Sequence, residues 1–260
     1  MKDKLWIMVK KVIRQADVVL EVVDSRNPEG TRSRIVERYV KSLGKPLIIV
    51  INKADLVPRE VLDEWKNVLS REFPTIYISA QKRLGTRRLW IILKKYRRNS
   101  KLKVAVVGYP NVGKSMIINL LKGRHSVGTS PIPGFTKHTQ AVRAAKWLKV
   151  IDTPGVVPLR EKDEVSLVLK CSISPEELED PVTPALGLIK IALEKNPTVF
   201  KETYGIESTD PLKIIEELAE RRKLYLKGGR LNIEEAARII IRDWQKGKLV
   251  FYFLPNEPIG

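Results

Sequence analysis

Runs of β-branched and aliphatic residues alternate with amphipathic stretches along the first part of the chain. The apolar runs that predict buried strands lie at 17–23, 46–51, 75–79, 103–107, 140–145 and 148–151. Between them, apolar residues recur every three or four positions, which predicts helices over 4–15, 33–43, 58–73, 89–96 and 115–121. Near-continuous Val and Ile strands that alternate with helices are typical of a parallel sheet covered on both faces. We therefore expect a doubly wound, mostly parallel α/β fold.

The pattern changes after Pro158, where signals for helix starts replace the apolar runs. These signals are capping boxes or a polar residue followed by proline, and they lie at Ser174, Thr183, Asp210 and Asn232. Gly247 is placed to end the last of these helices. We expect an α/β domain over 1–160 and a small all-helical domain over 161–260.

Charge is unevenly distributed along the chain. It carries 48 basic and 30 acidic residues, for a formal net charge of +18. Residues 1–103 hold 25 basic and 11 acidic side chains, whereas residues 165–260 hold 14 and 15. The stretch 82–103 contains ten basic residues and no acidic one, so it cannot be an ion-pair network. This imbalance favours contact with a nucleic acid over a merely solvated lysine-rich surface.

Several classes of protein are excluded by composition. A single cysteine, Cys171, cannot form an internal disulfide, and one cysteine with two histidines cannot build a structural zinc site of the usual kind. No apolar run reaches the roughly 18 residues that a membrane span needs. We read no signal peptide at the amino terminus. The expectation is a cytoplasmic protein without a membrane partner.

The segment 108–115 (GYPNVGKS) fits the phosphate-binding loop G-x-x-x-x-G-K-[ST]. It follows a predicted strand and precedes a predicted helix, which is the context that this motif requires. Glycines let backbone N–H groups wrap a phosphate, Lys114 can reach the β and γ oxygens, and the Ser115 hydroxyl can ligate magnesium. The candidate phosphate-side residues are Asn111, Val112, Gly113, Lys114, Ser115 and Met116.

The choice of base is indicated by the segment 52–55 (NKAD), directly after a predicted strand. The Asp55 carboxylate can accept hydrogen bonds from N1 and the 2-amino group of guanine, which adenine cannot offer. The segment 79–81 (SAQ), after the next strand, can cap the guanine carbonyl. A phosphate-loop ATPase is therefore disfavoured. The candidate base-side residues are Asn52, Lys53, Asp55, Ser79, Ala80 and Gln81.

A fourth motif, 152–155 (DTPG), also follows a predicted strand. Asp152 is placed to hold magnesium through water, and Gly155 can donate its N–H to a γ-phosphate. Each tetrapeptide is weak evidence alone. Because all of the motifs fall at the carboxyl ends of predicted strands, together they indicate a GTP-binding site.

The order of the motifs is the reverse of that in ordinary small GTPases, because the base motifs precede the phosphate loop. In this order the sequence resembles the circularly permuted GTPases of the YlqF/YawG type over essentially its whole length. Segment 24–28 (DSRNP) is similar to that family's Asp-Ala-Arg-x-Pro element, and 131–137 (PIPGFTK) is similar to its switch-one segment. Segments 228–232 and 242–248 look like the tail of the nucleolar GTP-binding and YawG branch.

The resemblance implies a GTPase that cycles between GTP and GDP during ribosome assembly. Its implied partners are the precursor of the large ribosomal subunit and ribosomal RNA, with magnesium as cofactor, and we expect no DNA partner. By the same resemblance Thr136 ligates magnesium only when a γ-phosphate is present, which adds it to Ser115 and Asp152 as a metal ligand. We expect a monomer.

The residues expected to act in hydrolysis are Lys114, Asn111, Thr136 and Gly155. The glutamine that Ras-type enzymes use to orient water is absent, because Val156 and Val157 follow Gly155. Asn111 is our candidate for supporting the water, since families with Asn here can hold a potassium ion against the phosphates. A turn residue is the alternative for Asn111. The missing glutamine also leaves open a GTP-gated RNA-binding adaptor with negligible hydrolysis.

We expect RNA to meet a composite surface formed by the basic block and the last two helices of the tail. In the block, the side chains expected opposite the apolar stripe are Arg87, Arg88, Lys94, Lys95, Arg97 and Arg98. In the tail they are Arg221, Arg222, Lys223, Lys227, Arg230, Arg242, Lys246 and Lys248. The acidic residues around Glu176 lie far from them in sequence, and Trp244 is a candidate for stacking on a base.

Overall fold

A computed structural model describes residues 2–97, 101–123, 147–152 and 163–257. Its strands are β1 (Val18–Asp24), β2 (Leu47–Asn52), β3 (Thr75–Tyr77), β4 (Leu102–Gly108) and β5 (Leu148–Asp152). They form one parallel sheet in the order β3-β2-β1-β4-β5. The parallel α/β prediction is confirmed, and the strand predicted over 140–145 lies outside the described residues.

Helices follow each of the first four strands, as the periodicity predicts. The helices of the α/β part are α1 (Lys2–Gln15), α2 (Arg34–Ser42), α3 (Arg59–Leu69), α4 (Thr86–Lys95) and α5 (Lys114–Lys122). Those of the tail are α6 (Glu164–Leu169), α7 (Val182–Lys195), α8 (Val199–Tyr204), α9 (Pro211–Arg221) and α10 (Ile233–Lys246). Short 3₁₀ turns form at Ala54–Leu56 and Pro175–Glu177.

The helix starts predicted from capping signals in the tail are confirmed in part. Asp210 and Asn232 cap α9 and α10 through their side chains, as expected. The capping box at Ser174 begins only a 3₁₀ turn, because Leu178 next adopts an extended conformation and is buried at 3% exposure. α7 begins at Val182, ahead of the expected Thr183 cap, since the Asp180 carboxylate accepts from the Val182 N–H at 2.8 Å. The six-residue helices α6 and α8 are too short to show a helical period and were not predicted.

The two faces of the sheet are covered by different helices. On one face, side chains such as Leu20, Ile48 and Val106 pack against α4 and α5 in one buried cluster. On the other face, the alternate positions of the same strands pack against α1, α2 and α3. Since both faces are covered, the strands read as continuous apolar runs.

The helical tail joins the second of these clusters. Ile241, Trp244 and Phe251 belong to the same buried apolar cluster as Ile49 and Ile51 of β2. The Trp65 indole N–H on α3 donates to the carbonyl oxygen of Phe253 at 2.8 Å. The tail therefore shares a core with the sheet. The domain boundary predicted at 160/161 lies outside the described residues and stays a prediction. Among the described helices, none has the length and apolarity of a membrane span.

Candidate functional site

The carboxyl ends of the strands bring several predicted motifs to one edge of the sheet. The chain runs outward from β1 through β2 to β3, and then returns to place β4 on the opposite side of β1. In open α/β sheets, ligands bind outside such a switch point. Segments 24–28 and 108–115 follow β1 and β4, so the phosphate-loop motif lies at the switch point.

The loop between β4 and α5 has the backbone shape of a phosphate cradle. Gly108, Asn111 and Gly113 have φ angles of 144°, 56° and 97°. Left-handed residues within a turn direct successive N–H groups to one side, where an anion can bind. α5 begins directly after Gly113, so its N-terminal end, which is the positive end of the helix dipole, faces the same region. Lys114 is buried at 8% exposure, and its ammonium donates to the Tyr109 carbonyl oxygen.

Asn52 connects the phosphate loop to the base-side loop. Its amide nitrogen donates to the Val112 carbonyl oxygen at 2.9 Å, and its amide oxygen accepts from the Ala80 N–H at 3.0 Å. A Cβ on Gly113 would collide with the Asn52 amide, so only glycine allows this approach. One buried side chain therefore sets the distance between the segments predicted to bind phosphate and base.

Asp55 lies exposed on the 3₁₀ turn Ala54–Leu56 and faces a cavity of about 480 Å³. Ser79 is fully buried, and its hydroxyl oxygen accepts from the Lys82 N–H at 3.0 Å, which shapes the loop after β3. Predicted residues that line the cavity are Asn52, Lys53, Asp55, Gln81, Asn111, Gly113 and Met116. A volume of this size suits a nucleotide-sized ligand.

The remaining predicted residues divide into two groups. Ser115 is exposed on the first turn of α5, and Asp152 ends β5 beside β4. These two positions lie at the same edge of the sheet, as a shared magnesium site would require. Thr136, Gly155 and the switch-one segment 131–137 lie outside the described residues, and so do Val156 and Val157.

The segment after β1 holds a buried ionic network. The Arg26 guanidinium donates to both oxygens of Asp24 at 3.0 and 2.8 Å, and the Lys53 ammonium lies 2.7 Å from the same carboxylate. Burial would raise the pKa of Asp24, but the Arg26 and Lys53 charges outweigh it and hold that pKa well below its ordinary value. Arg26 also donates to the Trp244 carbonyl oxygen and lies 3.7 Å over the indole ring. The network therefore joins the base motif to α10.

Comparison with protein-family models identifies the two halves of the site separately. A model described as "50S ribosome-binding GTPase" matches residues 103–179, which contain the phosphate loop. A model described as "Elongation factor Tu GTP binding domain" matches residues 7–109, which contain the base motifs. The half with the base motifs comes first along the chain.

Relatives match nearly the whole chain. An uncharacterized GTP-binding protein of Methanocaldococcus jannaschii is 40% identical, and the match covers 97% of this chain and 68% of the relative. The nucleolar GTP-binding protein 2 of Pneumocystis carinii is 33% identical over 98% of this chain and 55% of its own length. The guanine nucleotide-binding protein-like NSN1 of Arabidopsis thaliana is 35% identical over 95% and 48%. The chain thus spans about half the length of these eukaryotic relatives.

Two solved structures share the fold. They are the GDP-bound and GNP-bound forms of YlqF from T. maritima, each 28% identical, with TM-scores of 0.65 and 0.66. The matches cover 96% and 98% of this chain, and 99% and 100% of the YlqF chains. The chain belongs to the YlqF-like family of circularly permuted GTPases. In this YlqF-like GTPase the permuted order places the tail directly after the strand that ends at Asp152.

In this GTPase the tail supplies contacts to the candidate site that sequence reasoning missed. Arg242, Gln245, Lys246 and Gly247 line the same cavity as Asp55. The Asn111 amide nitrogen donates to the Cys171 carbonyl oxygen at 3.1 Å, which ties the phosphate loop to the turn after α6. Local pattern gave no signal for either contact, although segment 242–248 was recognised through the family resemblance.

Two expectations for the tail are wrong. Trp244 is buried at 1% exposure and stacks on Phe251 at 4.1 Å, so its ring is not available to a base. Glu176 lies far from Arg242 in sequence, yet their side chains pair at 2.7 Å. The Ser174 hydroxyl and Arg242 lower the pKa of Glu176 to about 2. Arg242 is therefore neutralised within the tail and is a poor candidate for a phosphate contact.

Proposed function

We propose that this protein hydrolyses GTP to GDP and phosphate as a switch in assembly of the large ribosomal subunit, with ribosomal RNA as its partner. The observation that carries the nucleotide part is the bridge made by Asn52, which holds the phosphate loop and the base-side loop around one cavity. The family model named for 50S ribosome binding and the relatives named nucleolar support the ribosomal part.

In this proposal Asp55 selects the base. Its exposed carboxylate borders the cavity beside Gln81 and can accept both N–H groups on the guanine edge. Asp55→Asn replaces an acceptor by a donor, so GTP should lose two charge-assisted bonds and bind at least about a hundredfold more weakly. Xanthosine nucleotides carry a carbonyl in place of the 2-amino group of guanine, so they should bind more tightly to Asp55→Asn than to the unaltered protein. Titration with both nucleotides measures this, with Asp63→Asn on α3 as the control. Unchanged GTP affinity in Asp55→Asn would contradict the proposal that Asp55 recognises the guanine base.

Lys114 and the backbone amides of the loop 108–113 would hold the phosphates, because the loop leads directly into Lys114 at the N-terminal end of α5. Ser115, Asp152 and Thr136 are the proposed magnesium ligands. Their hydroxyl and carboxylate oxygens are the hard donors that this ion prefers. Magnesium bound there would neutralise the charge that develops on the transferred phosphoryl group. Gly155 is the proposed donor to the γ-phosphate.

Asn111 is the proposed ligand for a potassium ion. Its amide nitrogen is engaged by the Cys171 carbonyl oxygen, which leaves the amide oxygen as the group that can ligate a cation. A cation there would place positive charge against the phosphates, where other GTPases use an arginine finger. Asn111→Ala should abolish stimulation by potassium. Asn111→Asp keeps an oxygen but cannot donate to Cys171, so it separates cation binding from the tail contact.

The decisive measurement is single-turnover hydrolysis in potassium and in sodium, with and without large ribosomal subunits. We expect slow hydrolysis alone and acceleration by both additions, since Val156 and Val157 replace the water-orienting glutamine. Lys114→Ala should abolish nucleotide binding. Equal rates in the two salts would contradict the potassium assignment. GTP-dependent binding to subunits without hydrolysis under any condition would favour the adaptor alternative.

The proposed RNA surface combines α4 with the turn between α9 and α10. The basic side chains of α4 and its end that are exposed, as expected, are Arg87, Arg88, Lys94, Lys95 and Arg97. Arg98 lies outside the described residues. In the tail, the exposed basic residues around this turn are Arg221, Arg222, Lys223, Lys227 and Arg230. These positions present positive charge to solvent, where phosphate contacts are made.

A further inference from the structure

The last turn of α10 forms one wall of the cavity that Asp55 borders. Arg242, Gln245, Lys246 and Gly247 line it from the tail, opposite residues of the base motif. This wall comes from a part of the chain that lies more than a hundred residues after the phosphate loop. The cavity is therefore composite, and its shape depends on how α10 is seated.

Backbone and side chain both hold this turn in place. The Lys53 ammonium, already paired with Asp24 at 2.7 Å, donates to the Gln245 carbonyl oxygen at 3.4 Å. The Gln245 amide nitrogen donates to the Ile173 carbonyl oxygen at 2.7 Å. Lys53 itself has a left-handed backbone, with φ of 62°, immediately before the turn that carries Asp55. The end of α10 is thus bonded to Lys53, the residue that immediately precedes the 3₁₀ turn Ala54–Leu56.

Gly247 leaves no room for a side chain beside the turn that carries Asp55. It ends α10 with φ of 73°, and a Cβ added there would lie 2.7 Å from Cδ1 of Leu56. Leu56 directly follows Asp55 on the 3₁₀ turn Ala54–Leu56. A side chain at 247 must therefore displace the side chain of Leu56, which lines the same cavity, or the end of α10. Gly228 and Gly229 also have positive φ, yet a Cβ on either would meet nothing within 4 Å.

We propose that the last turn of α10, through Gly247 and the Gln245 carbonyl, is a positioning element that holds Asp55 toward the base of a bound guanine nucleotide. The proposal rests on the proposed function, since it assumes that the cavity binds such a nucleotide. Because the contact is on the base side, it acts equally on GDP and GTP. By reciprocity, occupancy of the cavity stabilises the seating of α10 by the same factor.

The test compares Gly247→Asn with Gly229→Asn. Asparagine tolerates the left-handed backbone better than other side chains, so the pair shares the backbone change and differs in the contact with Leu56. Dissociation constants are measured for GDP and for inosine diphosphate, which lacks the 2-amino group. Gly247→Asn should weaken GDP by about tenfold and inosine diphosphate by less, because GDP makes one more bond to Asp55. Gly229→Asn should leave both dissociation constants unchanged.

Two further variants keep the test decisive. Leu56→Ala opens the same contact without adding atoms and should also lower the preference for GDP, which covers the case in which Gly247→Asn does not fold. In an Asp55→Asn background, Gly247→Asn should cause no further change in that preference. Equal weakening of the two nucleotides by Gly247→Asn, or an unchanged preference in Leu56→Ala, would overturn the proposal. Failure of the proposed function is distinguishable, because then the unaltered protein would bind no GDP.

Discussion

Arg26→Met removes a fully buried guanidinium and leaves its partners in place. The wild-type side chain bonds both oxygens of Asp24, donates to the Trp244 carbonyl oxygen, and covers the indole ring at 3.7 Å. Methionine is unbranched and similarly long, so it fills much of the space without making any of these bonds. The change therefore isolates the polar contribution of the arginine, at a position where tail and sheet meet.

The expected cost follows from the burial of the pair. Asp24 is 2% exposed and Arg26 is 0% exposed. Removing one partner of such a pair costs about 3–5 kcal/mol of unfolding free energy. Lys53 still neutralises Asp24 in the variant, so we expect the lower end, about 3 kcal/mol. For a protein of this size that corresponds to a fall in melting temperature of about 6–12 °C.

Urea unfolding followed by circular dichroism and tryptophan fluorescence measures this loss. The matched control is Arg59→Met, which makes the same chemical change in a pair whose side chains are 77% and 47% exposed. That control should cost less than about 0.5 kcal/mol. The reasoning fails if the two variants lose the same stability. If Arg26→Met changed the slope of unfolding free energy against urea concentration, the variant would instead have an altered unfolded or native state.

A second variant checks the cause of the loss. Adding Asp24→Asn to Arg26→Met removes the carboxylate that Lys53 still neutralises and leaves the Lys53 ammonium without its carboxylate, so the double variant should recover no stability relative to Arg26→Met at neutral pH. The pKa of Asp24 is lowered in the folded state. Wild-type stability should therefore fall as pH falls below the ordinary aspartate pKa of about 3.9, since the unfolded chain binds the proton first. Arg26→Met should weaken this acid dependence.

Two other predictions concern the pH dependence of stability and the RNA surface. Burial and the neighbouring Glu37 carboxylate raise the pKa of Glu21. Among the described residues, Oε2 of Glu21 is the one buried side-chain oxygen or nitrogen that has no hydrogen bond. The unfolding free energy should thus fall as pH rises above the ordinary glutamate pKa of about 4.3, and Glu21→Gln should flatten that fall in urea titrations. A parallel pH dependence in the variant would exclude Glu21. Separately, replacing four exposed cations with glutamine should flatten the slope of log RNA affinity against log salt concentration by about two units, while GTP binding persists. An unchanged slope would indicate that RNA contacts only the tail. The four are Arg87, Arg88, Lys94 and Lys95.

The parts of the fold that depend on local pattern could be predicted from the sequence. Apolar runs located β1, β2 and β4 to within one residue at each end, because strands buried on both faces need unbroken aliphatic residues. The phosphate loop was recognisable because its glycines are required by backbone geometry that the structure shows, with positive φ at Gly108 and Gly113. Chemistry carried by one short segment is visible in that segment.

Contacts between distant segments could not be predicted in this way. Arg26 and Trp244 meet across 218 residues, and Arg242 meets Glu176 across 66. Nothing in the spacing around Trp244 distinguishes an indole that covers a buried guanidinium from one that stacks on a base. The bond from Asn52 to Val112 could not be predicted either, because it depends on β2 and β4 flanking β1 on its two sides.

The tail leaves the sheet after β5, at one outer edge, yet α10 ends against the loop after β2, on the far side of β1 and β4. Its described residues reach the carboxyl edge of the sheet at two places. They contact the phosphate loop through Cys171 and Asn111, and the base motif through Gln245 and Lys53. A nucleotide that spans the cavity would border both contacts. Movement of the tail as one unit would then disturb both ends of the nucleotide site together, so the seating of the tail and nucleotide binding should be coupled whichever phosphate state is bound.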